Sequence, residues 1–157
     1  MAVKFSPQTK REFKETLSRY PHKEAALLPV LLLAQREFGV LSDELVQYVA
    51  GLMDLPPSRV KSVVTFYTLF NTREVGRYVI RVCHTLSCAL NGTEEVIEHI
   101  KKRLHIDVGE TTPDKKFTLL ECECLGSCNT APVMQINDRY YENMTLELVD
   151  QILDSLE

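Results

Sequence analysis

Five cysteines, at positions 83, 88, 122, 124 and 128, all fall in the second half of this 157-residue chain. An odd number argues against a disulfide framework, and the N-terminus has no basic-then-apolar secretion pattern. Clustered thiols in a reducing compartment point instead to metal or redox chemistry. The longest strongly apolar run, Ala25 to Ala34, is ten residues interrupted by Pro29. That is well short of the ~20 needed to span a bilayer. The chain is therefore expected to be cytoplasmic, with no direct membrane insertion.

Charge separates the two halves. Met1 to Gly76 carries ten Lys/Arg against eight Asp/Glu, whereas Arg77 to Glu157 carries eight against fourteen. An acidic half is a poor binder of phosphate backbones, so the cysteine-bearing half is not expected to bind nucleic acid. The six glycines, at 39, 51, 76, 92, 109 and 126, are never clustered. Neither a dinucleotide fingerprint nor a phosphate loop is present. If this chain moves electrons, a partner must bind the nucleotide or flavin.

Residues 1–73 read as helical. Ser6-Pro7 is a cap followed by proline in the first turn, with Phe13 and Leu17 then on one face. Lys23 to Phe38 is strongly apolar and ends at Gly39, with Pro29 predicting a kink or a late start. Ser42 opens a third helix through Leu45, Val46, Val49 and Leu52. Pro56-Pro57-Ser58 opens a fourth carrying Val60, Val63, Val64 and Tyr67. Asn71 to Gly76 reads as a linker.

Residues 77–157 alternate between strand and helix. "RYVIRVC" and "FTLLECE" are strand patterns enclosing the helical "NGTEEVIEHIKKRL", where Asn91 and Glu94 have capping-box spacing. "PVMQI" and "RYYE" form a hairpin around Asn137-Asp138, and a last helix places Leu146, Val149, Leu153 and Leu156 together. The order predicts an α+β chain: an N-terminal helical region, then a small mixed sheet with packed helices.

Cys83 and Cys88 enclose four residues, and Cys124 and Cys128 enclose three. Each pair starts at the end of a predicted strand, so two neighbouring loops can bring four thiolates to one site. Zinc and iron–sulfur clusters both use such sets. Structural zinc favours tighter knuckles, whereas the looser pairs suit a [2Fe–2S] cluster with a thiolate pair on each iron. Gly126 and Ser127 are small enough to let backbone N–H groups approach sulfur. Cys122 is open to three readings: a small core residue, a ligand on the face of Cys124, or a redox pair with Cys124. His84 adjoins Cys83, but no second histidine is placed to complete a Rieske-type centre; His22, His99 and His105 read as surface residues.

At these residues the sequence resembles a known family. "VCHTLSCALNG", "ECLGSCNTAPVMQIND" and "YYENMT", with the helical "YPHKEAALLPVLLLAQREFGVLS" and "LPPSRVKSVVTFYTLF", are similar to the thioredoxin-like [2Fe–2S] subunit of respiratory complex I. That family comprises the small iron–sulfur partner of the NADH-binding flavoprotein in bacterial NADH–quinone oxidoreductase and its mitochondrial 24 kDa counterpart. The resemblance implies a thioredoxin-like fold behind the helical region. It implies one [2Fe–2S] cluster held by Cys83, Cys88, Cys124 and Cys128, with Cys122 an ordinary strand residue.

It further implies a flavoprotein partner that binds FMN and NADH, with which the cluster exchanges electrons. This chain would be a subunit of an oxidoreductase with no complete active site of its own, peripheral to the inner side of the cell membrane. The equivalent subunits of NAD-linked hydrogenases and formate dehydrogenases share the motif. A zinc-stabilised binding module and an iron–sulfur DNA-binding regulator are the other classes. Glu121 and Glu123 flank the second pair, and their negative charge predicts a low reduction potential. Phe66, Tyr67 and Phe70 read either as core or as an aromatic anchor for the partner.

Overall fold

A computed structural model describes residues 3–156. It divides into two compact units, Met1–Glu74 and Val75–Glu157.

The first unit contains helices α1 (Pro7–Ser18), α2 (Leu27–Phe38), α3 (Asp43–Met53) and α4 (Pro57–Phe66). Their starts are chemically marked. The Ser6 hydroxyl accepts the Thr9 N–H, and the Ser42 hydroxyl accepts the Leu45 N–H, each satisfying a donor the helix leaves unpaired. Of the two expectations for Pro29, a kink or a late start, the late start is what forms. Lys23–Ala26 make a 3₁₀ turn and α2 begins at Leu27. Pro29 thus lies in the first turn, where its missing N–H would have had no intrahelical partner.

Leu31, Leu41, Leu45, Met53, Val30, Val49, Val60 and Val64 are fully buried between these helices. Each contributes ~1.5–3 kcal/mol by leaving water. The aromatic run divides: Phe70 joins this core at 6% exposure, while Phe66 is 76% exposed. Asn71, at the start of the expected linker, is tied back. Its N–H donates to the Gln35 side chain at 2.6 Å, and its carbonyl accepts the Leu41 N–H at 2.9 Å.

The second unit runs β1 (Tyr78–Cys83), α5 (Leu86–Leu90), α6 (Thr93–Leu104), β2 (Phe117–Cys122), β3 (Met134–Ile136), β4 (Arg139–Tyr141) and α7 (Leu146–Ser155). Its sheet order is β2-β1-β3-β4. β1 and β2 are parallel, joined through α5 and α6, and the other pairs are antiparallel. Alternation turns Ile80, Val82, Leu119, Met134 and Ile136 into one core with Val96, Ile97 and Ile100 of α6 and Val149, Ile152 and Leu153 of α7. Leu146 falls outside that core, exposed at the first position of α7, and Ile152 takes its place in the buried stripe.

One local expectation is corrected. The Asn91–Glu94 capping box does not form. Asn91 instead ends α5, its side-chain amide donating to the Ser87 carbonyl at 2.7 Å. Gly92 caps α6 with φ at 91°, a conformation glycine adopts without strain. A five-residue helix is too short to show a periodicity, so α5 leaves no mark in the hydrophobic pattern.

Asn137 makes the hairpin turn with φ at 52° and also secures β1. It accepts the Val79 N–H at 3.0 Å and donates to the Arg77 carbonyl at 3.1 Å.

Gly76 enters the sheet where a side chain has no room. A Cβ there would sit 2.8 Å from the backbone of Phe117, and the Gly76 N–H is already bonded to the Thr118 hydroxyl. Gly76→Ala is expected to destabilise the second unit by ~1–3 kcal/mol, as overpacking does. A lowered thermal midpoint is the readout; an unchanged midpoint would show that this edge yields freely. Among the described residues, no helix is long and apolar enough to cross a membrane.

Candidate metal centre

β1 and β2 are parallel neighbours that end together, with Cys83 and Cys122 paired in register. The chain leaves both strand ends on the same side of the sheet. After β1, Thr85 leads into α5, which carries Cys88. After β2, residues 123–127 lead into a 3₁₀ turn, Cys128–Thr130. The Ser87 hydroxyl donates to the Cys128 carbonyl at 2.8 Å, so the two loops are joined.

The thiols fall into two close pairs. Cys124 Sγ lies 3.4 Å from Cys128 Sγ, and the buried Cys83 and Cys88 thiols each shift the other's ionisation. Thr85 Oγ1 is 3.3 Å from Cys83 Sγ and also contacts Cys124, bridging the pairs. Cys83 and Cys88 are buried, whereas Cys124 and Cys128 are exposed. The site is therefore a rim, one pair set into the protein and the other facing outward. Val133 packs with the buried thiols, and Leu125 and Ala131 lie partly buried against them. Among the described residues, no three His, Cys, Asp or Glu side chains gather around a point that would hold a single ion.

Backbone N–H groups are aimed at the sulfurs. Gly126 donates to Cys124 Sγ at 3.3 Å, and the N–H groups of Leu125 and Val133 favour the thiolates of Cys83 and Cys88. Gly126 holds φ at 80°, a backbone state for which glycine is suited. The peptide bond between Ala131 and Pro132 is cis.

These contacts split the thiols. Burial opposes ionisation of Cys83, but hydrogen bonds from Thr85, the Leu125 N–H and Cys88 outweigh it and hold its pKa below the usual value. Cys88 is pushed up to about 11, by burial first and then by its bond to Cys83. The Gly126 N–H, then Cys128, lower Cys124, while Cys128 is raised by serving Cys124. Each pair thus contains one thiol readied to ionise and one that resists until something compensates its charge.

Cys122 is placed differently. β2 ends at Cys122, so the chain has turned before Cys124 and the two do not continue one extended face. Its thiol is buried beside Cys83, Cys88 and Val133. Burial first, then the neighbouring Cys83, push it up to about 11, with Arg81 acting against them. It forms part of the apolar floor beneath the first pair.

Among the described residues, no histidine is gathered with the thiols. His84 is half-exposed, with Nε2 3.8 Å from the Glu123 carboxylate. His99 bonds Asp150 at 2.9 Å, tying α6 to α7, and His105 ends α6 with φ at 55°. Thr85 is the site residue that sequence reasoning passed over. A hydroxyl between two cysteines looks like an ordinary loop or cap residue, and its contact with Cys124 depends on the pairing of β1 with β2.

The donor set fits a two-iron cluster: four thiols in two pairs, an apolar floor, and N–H groups directed at sulfur. Residues 13–157 match the family described as thioredoxin-like [2Fe–2S] ferredoxin. The chain belongs to this family. An NADH–quinone oxidoreductase subunit from Rickettsia conorii is 45% identical over 147 residues, covering 92% of this chain and 88% of that protein. The mitochondrial NADH dehydrogenase [ubiquinone] flavoprotein 2 of Dictyostelium discoideum is 42% identical over 155 residues, covering 94% of this chain and 63% of that protein.

A structure of an NAD⁺-reducing [NiFe]-hydrogenase in its air-oxidised state superposes with a TM-score of 0.72 at 22% identity. The match covers 83% of this chain and 22% of that one, and it shows the fold. The family match takes in the helices from residue 13 as well as the mixed sheet, and its [2Fe–2S] description favours a cluster over the zinc-stabilised module.

Proposed function

We propose that this chain is the electron-transfer subunit of an NADH–quinone oxidoreductase, working beside an NADH-binding flavoprotein. Residues 1–73 form its helical region and 77–157 its [2Fe–2S] domain. The supporting observation is the rim at the ends of β1 and β2, in a chain similar to the Rickettsia oxidoreductase subunit over nine-tenths of its length. Cys83, Cys88, Cys124 and Cys128 hold the cluster. When bound, the cluster supplies a site that accepts and returns a single electron. FMN and NADH belong to the partner, since this chain offers no phosphate-binding loop.

The protein residues bind, shield and orient. Cys83 and Cys88 anchor one side away from water, and Val133 keeps that side apolar. Exposed Cys124 and Cys128 turn the other side outward, which suits exchange with a docked partner. Beside them, α5 exposes Leu86 and Leu90, and we assign these to the flavoprotein contact. The assembled complex lies against the inner side of the cell membrane.

The test is low-temperature EPR on anaerobically purified protein, before and after dithionite, with metal and sulfide assays. The expected result is a silent oxidised form, a rhombic S = 1/2 signal on reduction, and about two irons and two sulfides per chain. Stoichiometric zinc with no signal would overturn this reading.

A further inference from the structure

The loop carrying Cys124 and Cys128 has little apolar anchoring of its own. No residue from 123 to 131 is fully buried. Yet this loop must hold two sulfurs and two N–H donors in register. Its restraint comes from β4 and the segment that follows it. The Tyr140 hydroxyl donates to the Leu125 carbonyl at 3.2 Å. The Asn143 N–H donates to the Thr130 carbonyl at 2.7 Å, and the Met144 N–H to the Pro132 carbonyl at 3.0 Å.

Between them, Glu142 Oε1 accepts the hydroxyl of Thr130 at 2.8 Å and that of Ser127 as well. Ser127 and Thr130 are also 2.8 Å apart, closing a three-membered network. Hydroxyl-to-carboxylate bonds are roughly twice as strong as neutral ones. They also hold the Glu142 carboxyl below the usual carboxylate range.

We propose that Glu142 is the positioning residue of the Cys124–Cys128 loop. Its carboxylate pins Ser127 and Thr130 on either side of Cys128, and so fixes Gly126 and Leu125, whose N–H groups reach Cys124 and Cys83. It touches no sulfur and acts through the loop. This rests on the proposed cluster for its consequence, though the restraint itself is a property of the chain.

Three variants test it in the full-length protein: Glu142→Ala, Glu142→Gln, and the pair Ser127→Ala with Thr130→Val. All lie outside the buried core, so folding is expected to survive. Glu142→Ala is expected to speed amide hydrogen exchange across residues 123–131 and to broaden the EPR signal. It should also speed cluster loss to a chelator roughly tenfold, in line with other residues that orient metal ligands. Glu142→Gln retains an oxygen that accepts both hydroxyls at the weaker neutral strength, and is expected to fall between wild type and Glu142→Ala in linewidth and exchange.

The Ser127/Thr130 pair leaves every charge in place. Loosened N–H···S bonds should make its cluster harder to reduce, by about tenfold in the reduction equilibrium, or ~59 mV for one electron. Wild-type exchange and linewidth in Glu142→Ala would overturn the proposal, as would Gln behaving like Ala. If the wild-type protein holds no iron, the cluster reading fails, and hydrogen exchange alone then decides whether Glu142 restrains the loop.

Discussion

Replacing Cys83, Cys88, Cys124 or Cys128 singly by alanine is expected to abolish the reduced EPR signal and the bound iron. Cys122→Ala is expected to leave both in place. The contrast follows from placement. The four thiols form two close pairs on loops that meet at the ends of β1 and β2, and each has a partner or donor at its sulfur. Removing one leaves an iron short of a ligand, which the surrounding residues cannot replace.

Cys122 sits in the floor, and its loss removes only a small buried group at a cost of ~1 kcal/mol. Iron content, EPR intensity and a thermal midpoint on each variant separate lost ligation from lost folding. A folded Cys122→Ala protein without its signal would make Cys122 a ligand and take its thiol out of the floor.

Much of this was legible because cysteine and proline carry strong local meaning. The two thiol pairs and the strands that launch them stand out from spacing and β-branched runs alone. What the linear pattern lacks is the third dimension of the loops. The parallel pairing of Cys83 with Cys122 decides that Thr85 meets Cys124, and nothing near Thr85 in sequence signals it. The return of the chain after β4 decides that Glu142 meets Ser127, fifteen residues away. α5 is hidden by its brevity, and its presence displaces the expected cap from Asn91 to Gly92. Phe66, Tyr67 and Phe70 could not be sorted by composition, because burial depends on how the chain beyond α4 folds back through Gln35 and Asn71.

That hidden helix carries the second large effect. Leu86→Asp with Leu90→Asp is expected to weaken binding to the flavoprotein partner at least tenfold, while the EPR signal of the isolated chain stays unchanged. Leu86 and Leu90 are 75% and 78% exposed and lie four residues apart, hence on one face of α5. A lone surface leucine needs no explanation, but two on the helix that carries Cys88, joined through Ser87 to exposed Cys128, border the side a redox partner must approach.

Burying each leucine is worth ~1.5–3 kcal/mol, and ~1.4 kcal/mol is tenfold in affinity. Aspartates there would also add to an already acidic unit and lose hydration on docking. Titration calorimetry with the purified flavoprotein measures the change, and Phe66→Asp in the helical unit is the informative comparison. Full affinity in the leucine double variant with loss in Phe66→Asp would move the contact to the first unit. It would leave the exposed thiols to meet the partner without an apolar collar.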